Sequence, residues 1–395
     1  MLQRKRQMTT PVKCQQTRQQ EPIPVSTYIL TLCIGIIGSN SLLLAPIAPV
    51  VAISFSKSVP NVMLASSAFG LGTGFSALFL ARYIDVFGAF RSIKISMLTI
   101  SLSTLLSAVS PNLLSLIFSQ LTAGLATGIA IPAIYVATSF ISPPSLEKKT
   151  LGIVLVGWTL SLVAGVSFSS LIAENSNWRY VYFLLSSLNV ISITLLHFSV
   201  KNETPCIRKT NSPLKILNNK EIVHQLIICA AIMTSFYGVY SFLGDYIFTK
   251  LQKPLSANGI SSILYGIGFG SVALFRGKLK HICENLNFST ALLILSLNYL
   301  SIFFSEKYIA ICIFMTTLGC INHIAVNSLI AKLNYAGGDE KGNVMGLNSA
   351  VTYFSVFISG SALGFLYSIF GFKTIVLISF ILCLTASAFS KKNTN

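Results

Sequence analysis

Residues 199–221 read SVKNETPCIRKTNSPLKILNNKE, the longest polar stretch of a chain otherwise built from apolar runs. The stretch carries Lys201, Arg208, Lys209, Lys215 and Lys220, together with Pro205 and Pro213. Hydrocarbon offers no partners for such groups, so this segment lies in water and joins two apolar halves. Six runs precede it, at roughly 27–51, 61–81, 92–110, 112–137, 150–173 and 179–198. Six follow, at roughly 222–246, 257–275, 287–305, 308–331, 343–368 and 370–389. Each is long enough to cross a hydrocarbon core of ~30 Å as a helix that satisfies its own backbone. The expected fold is therefore an all-α membrane protein, with twelve transmembrane helices in two pseudo-symmetric six-helix bundles. The expected boundaries are a basic tail at 1–26, bundles at 27–198 and 222–390, the central loop at 199–221 and a short tail at 391–395.

Composition agrees. The 395 residues are 53% hydrophobic and 10% charged, with a mean hydropathy of +0.73. Soluble domains carry roughly 25% charged residues, so a single soluble globule is excluded. The net charge of +17 would point to nucleic acid in a soluble protein, but here the basic residues sit between apolar runs and report topology. With both termini cytoplasmic, the inner segments hold 22 of the 28 Lys and Arg residues. The outer segments hold only Lys57, Arg179, Lys250, Lys253, Lys307 and Lys373. That alternation favours an even number of spans and a retained basic tail, with Arg4, Lys5, Arg6, Lys13 and Arg18, over a transit peptide. The eight cysteines form no CxxC pair and read as packing residues, not as metal or disulfide sites.

The halves echo one another. Asn177-Trp178-Arg179 opens span six and Gly371-Phe372-Lys373 opens span twelve, an offset of 194. Ala81-Arg82-Tyr83-Ile84-Asp85 follows span two and Gly277-Lys278-Leu279-Lys280-His281 follows span eight, an offset of 196. Such near-equal offsets suggest duplication of a six-helix unit, a symmetry common among transporters.

The loop after span two reads Ala81-Arg82-Tyr83-Ile84-Asp85-Val86-Phe87-Gly88-Ala89-Phe90-Arg91. It resembles the G-x-x-x-D-x-x-G-x-x-R signature of the major facilitator superfamily, with Ala81 in place of the first glycine. Asn177-Trp178-Arg179-Tyr180-Val181-Tyr182-Phe183 is similar to the W-R-x-x-F start of span six in the drug-proton antiporter branch. Gln120-Leu121-Thr122-Ala123-Gly124 resembles that branch's R-x-x-Q-G motif with Gln120 in the arginine position. Gly165-Val166-Ser167-Phe168-Ser169 keeps only the first glycine of its G-x-P-x-G motif. The resemblance implies that Asp85, Gly88 and Arg91 serve gating rather than substrate contact. It also implies that spans one, four, seven and ten line a central cavity, and that a bacterial inner membrane is the location.

Polar residues inside spans are the remaining clue, because burying them unpaired is costly. Thr316, Cys320, His323 and Asn327 share a face of span ten, with Asn322 beside it; Thr234, Tyr237, Ser241 and Asp245 share one of span seven. Asn348, Thr352, Ser355 and Ser359 run along span eleven, and Ser39, Asn40 and Ser41 lie in span one. Interhelical hydrogen bonding accounts for any single serine or threonine. The cavity candidates are Asn40, Gln120, Tyr237, Ser241, His323, Asn327 and Asn348, and the proton-coupling candidates are Asp245 and His323.

No Asp, Glu, Lys or Arg lies at mid-membrane, so the expected substrate is a small amphipathic neutral or zwitterionic molecule. The leading expectation is a monomeric secondary transporter that exports it by alternating access, coupled to protons. An importer of the same fold is the alternative. A membrane enzyme needs converging ionisable groups, which His197, His224, His281 and His323 do not supply. No Walker motif is present, and no cofactor or metal is expected. A channel or receptor is disfavoured by the duplicated gating-like loop.

Overall fold

The computed structural model describes residues 23–143, 145–199, 213–274 and 286–392. The tail before residue 23, most of the central loop and the echo Gly277–His281 lie outside the described residues. Among the described residues, ten helices or helix runs, from Val25–Leu42 to Phe372–Lys391, are long and apolar enough to span a bilayer. Leu255–Leu274 and Phe288–Phe304 complete the twelve. Spans four and ten, Leu113–Ile141 and Tyr308–Gly337, run beyond their apolar segments. Helix continues there because its backbone bonds are as well satisfied in water as in lipid, a continuation that hydropathy does not register.

Local chemistry sets several of the ends and breaks. Span one is Val25–Leu42 followed by Leu44–Phe55. Pro46 and Pro49 lack the amides that would reach Leu42 and Ala45, so the helix is interrupted at Leu43. Asn112 caps span four by accepting from the Ser115 amide at 2.9 Å, and Asn219 caps span seven by accepting from the Glu221 amide at 2.9 Å. Span five passes through a π turn at Ser161–Gly165, and span seven ends in another at Tyr246–Lys250. Spans six and twelve start at Trp178 and Phe372, the two positions related by the offset of 194.

Glycines show how the helices come together. Span two contains Gly70-Leu71-Gly72-Thr73-Gly74, and span eight contains Gly266-Ile267-Gly268-Phe269-Gly270, 196 positions later. A Cβ on the middle glycine Gly72 would stand 2.6 Å from the Leu121 carbonyl oxygen of span four, and one on Gly268 would meet the Thr316 carbonyl of span ten. The reciprocal glycines, Gly124 and Gly319, face the Phe69 and Tyr265 carbonyls. The flanking glycines point the other way. Gly70 and Gly74 approach Tyr353 and Ala350 of span eleven, whereas Gly266 and Gly270 approach Val163 and Thr159 of span five. Positions i and i+4 share one helix face and i+2 lies about 200° around it. Each triplet thus seals its own bundle with the middle residue and meets the opposite bundle with the outer two.

Serine clasps add to the packing within each bundle. Ser101 and Ser186 of spans three and six donate to each other's carbonyls at 3.0 and 2.9 Å. Ser289 and Ser387 of spans nine and twelve do the same at 2.7 Å in both directions. The bundles approach most closely at the end opposite the basic loops, here termed the outer end from the charge pattern. The contact between spans five and eight is richest over Val166–Asn175 and thins towards Glu147–Leu160. Only the outer half of span one, Leu44–Phe55, packs extensively on span seven.

Candidate functional site

Midway along span one, buried Asn40 donates from Nδ2 to Oε1 of Gln120 at 3.4 Å. Gln120 in turn donates from Nε2 to the Ser107 hydroxyl at 3.0 Å, and Ser107 lies 2.7 Å from the Ser119 hydroxyl. A neutral chain of amides and hydroxyls therefore joins spans one, four and three, where the antiporter motif would place a charge. The Asn40 Oδ1 is buried without a hydrogen-bond partner.

The second bundle contributes an aromatic column. Tyr240 stacks on Phe236 at 5.6 Å, Phe236 on Tyr265 at 4.9 Å, and Tyr265 on Phe269 at 6.2 Å. His323 meets Phe269 edge-on at 4.7 Å, and Tyr237 meets Phe236 edge-on at 5.0 Å. Asn322 donates from Nδ2 to the Tyr265 hydroxyl at 2.7 Å, leaving its own Oδ1 buried and unbonded. Tyr353 of span eleven meets Phe69 of span two edge-on at 6.2 Å, and the Tyr135 hydroxyl accepts from Trp158 Nε1 at 3.4 Å. Spans four, seven, eight, ten and eleven thus bring aromatic and neutral polar groups towards the interior.

The structure distributes the expected site residues unevenly. Asn40 and Gln120 touch each other, while Tyr237 and His323 lie along the aromatic column. Asn327 is exposed on the helix surface. Asn348 accepts from the Cys229 thiol at 3.2 Å and so ties span eleven to span seven. Ser241 is buried in the outer half of span seven. Asp245 accepts from the Tyr367 hydroxyl across spans seven and eleven. It lines an outer cleft of about 460 Å³ bounded by Pro49–Pro60 of the first hairpin and by Phe248 and Tyr367. Asn322, Tyr240, Tyr265 and Tyr353 are additions that the polar stripes did not single out.

At the inner end of span two, Asp85 is half-buried in the first turn of the short helix Ile84–Phe87, and Arg91 is exposed. Gly88 adopts φ 82° and ψ 152° immediately before the helix Ala89–Ala108, a backbone that a side chain would strain. This accounts for the glycine in the loop motif. Among the described residues, no group of three or more His, Cys, Asp or Glu is arranged to hold a metal.

A family model described as Major Facilitator Superfamily matches residues 30–334. The protein named Uncharacterized MFS-type transporter YwfA of Bacillus subtilis is 23% identical over 363 residues, 88% of this chain and 87% of its own. Inner membrane transport protein YdhP of Escherichia coli is 24% identical over 345 residues, 85% of this chain and 86% of its own. Among solved structures, a D-xylose-proton symporter aligns with a TM-score of 0.76 at 14% identity, over 93% of this chain and 97% of its own. A bacterial homolog of the human lysosomal transporter Spinster, inward-facing and occupied, aligns at 0.74 and 12% identity, over 93% and 96%.

Proposed function

The chain belongs to the Major Facilitator Superfamily, and from that premise we propose that it exports a small amphipathic neutral or zwitterionic molecule by proton-driven alternating access. At the coarser level it is a secondary transporter, a multi-pass protein of the lipid bilayer that moves a small molecule. One observation carries the finer reading. The interior presents aromatic faces, amides and hydroxyls, with Asn40 and Asn322 offering unpaired acceptors, and no Asp, Glu, Lys or Arg stands at mid-span. A net charge entering such a site would leave water with no counter-charge, at a cost of several kcal/mol. A molecule with an apolar face and a few hydrogen-bond donors meets no such penalty.

The test is expression in an efflux-deficient cell with a panel of labelled compounds, with and without a proton gradient. The expected result is lower accumulation of neutral or zwitterionic amphipaths, lost when the gradient is collapsed. Raised accumulation would make the protein an importer, and movement restricted to permanently charged compounds would overturn the substrate class.

Two further outcomes follow from the same reading. Cysteine-accessibility labelling should find both termini and positions 199–221 on the cytoplasmic side, with Lys250 to Lys253 outside. An external label on the central loop would reverse the orientation. Asp85→Asn should leave the protein in the membrane and slow transport several-fold, because charge pairing at the inner face, where Asp85 stands among Arg82, Arg91 and Lys94, would be lost. Normal turnover at equal expression would reduce Asp85 to a solvated loop residue.

A further inference from the structure

We propose that Glu174 sets the gate: from the end of span five its carboxylate caps span eight across the bundle interface and so holds the outer end shut. The proposal rests on the alternating-access reading above. Span eight begins at Leu255, directly after Pro254. The first turn of a helix leaves backbone amides without intrahelical partners, and a Ser, Thr, Asp or Asn before it ordinarily supplies an acceptor. Pro254 has none. The acceptor comes instead from the opposite bundle, where Glu174 Oε2 lies 2.5 Å from the Ser256 amide.

Two other bonds reach the same turn from the first bundle. Asn258 donates from Nδ2 to the Pro46 carbonyl at 3.1 Å, and the Ser167 hydroxyl donates to the Gly259 carbonyl at 3.2 Å. Spans one and five therefore hold residues 256–259 by three bonds, all of which cross between bundles. The other outer seam, where the first hairpin faces spans seven and eleven, contains the cleft beside Asp245. That seam is held as well, by the close packing of Gly360 on Met63 and by the Ser67 hydroxyl, which donates to the Phe357 carbonyl at 3.1 Å. Any conformation that parts the outer ends along spans five and eight must give up the bonds at residues 256–259, and Glu174 alone among the three brings a charge to the helix N-terminus. Its side chain is exposed, so removing it opens no cavity, and the contact of span eight with its own bundle through Gly268 and Gly319 is untouched.

The test uses purified full-length protein in detergent, where a maleimide reaches both ends and orientation does not matter. Ser170→Cys is the reporter, fully buried against Gly259 at the seam. Ser379→Cys is the control, fully buried between spans seven and twelve within one bundle. Labelling at each position is quantified by mass spectrometry. Glu174→Ala should speed labelling at Ser170→Cys about fivefold, the population shift expected from losing a helix cap, and leave Ser379→Cys slow. Glu174→Gln, which keeps an acceptor and loses the charge, should give a rise of about twofold, and it carries the test if the alanine variant is not recovered folded. An unchanged rate at Ser170→Cys, or an equal rise at Ser379→Cys, would overturn the latch. The readout needs no substrate, so a failure of the export reading leaves it intact.

Discussion

Gly124→Ala and Gly319→Ala are each expected to destabilise the protein by about 3 kcal/mol, in the upper part of the range for overpacking a close contact. A Cβ at Gly124 would fall on the Phe69 carbonyl, and one at Gly319 on the Tyr265 carbonyl. Both obstacles are backbone atoms in the middle of long helices, which cannot turn aside as a flexible side chain would. The two contacts are equivalent, because Phe69 and Tyr265 are 196 positions apart and Gly124 and Gly319 are 195 apart. The two substitutions should therefore cost similar amounts, although they act in different bundles. Gly152→Ala is the control. Its Cβ would meet nothing within 4 Å, so replacing a helical glycine should stabilise by about 0.5 kcal/mol. Thermal unfolding in detergent ranks the three variants. If Gly124→Ala melts with the parent protein, the close approach of spans two and four is wrong.

That pair of contacts shows what was legible in the sequence. The twelve runs were legible because hydropathy over ~20 residues decides between lipid and water. The duplication was legible in part, through Trp178 and Phe372, which open equivalent helices. Its clearest expression, Gly70-x-Gly-x-Gly74 repeated at Gly266-x-Gly-x-Gly270, stood in the same sequence. Its meaning depends on which carbonyls approach each glycine, and those belong to helices about 50 residues away or more. The break at Leu43 was foreshadowed by Pro46 and Pro49. The π turns at Ser161–Gly165 and Tyr246–Lys250 had no such marker, because neither contains a proline.

The site was less legible than the fold, for a related reason. A membrane helix is apolar on every side, so periodicity identifies a polar stripe without saying which neighbour it faces. On span ten the stripe runs through His323 to Asn327, yet Asn327 is exposed while Asn322, one residue from the stripe, reaches Tyr265. On span seven, Tyr237 belongs to an aromatic cluster whose other members, Phe236 and Tyr240, look like ordinary packing residues in sequence. Gln120 was visible as a departure from the antiporter motif. Its partners Asn40 and Ser107, 80 and 13 positions away, explain how a neutral side chain is accommodated there.

Replacing both Asp245 and His323 by asparagine is expected to abolish uphill transport while leaving downhill exchange measurable. The two groups differ in place and in partner. Asp245 ends the polar stripe of span seven at the outer cleft, where it accepts from Tyr367. His323 stands well inside span ten against Phe269. The ring contacts Tyr240–Phe236–Tyr265–Phe269 run from the outer half of span seven inward to it. His323 is the candidate inside the bundle because imidazole is the side-chain type that ordinarily exchanges a proton near neutral pH. Gln120 offers no such service, because an amide does not titrate. Coupling needs a group whose protonation differs between the two access states, and a ligand shifts a conformational equilibrium only by its differential affinity for those states. Loss of both groups removes that difference, yet the amide and aromatic surfaces remain for the substrate. Exchange should then persist at a rate that no longer depends on the proton gradient. Uphill flux with its pH dependence intact in the double variant would move the coupling to Asp85, to another ion, or to a uniport cycle.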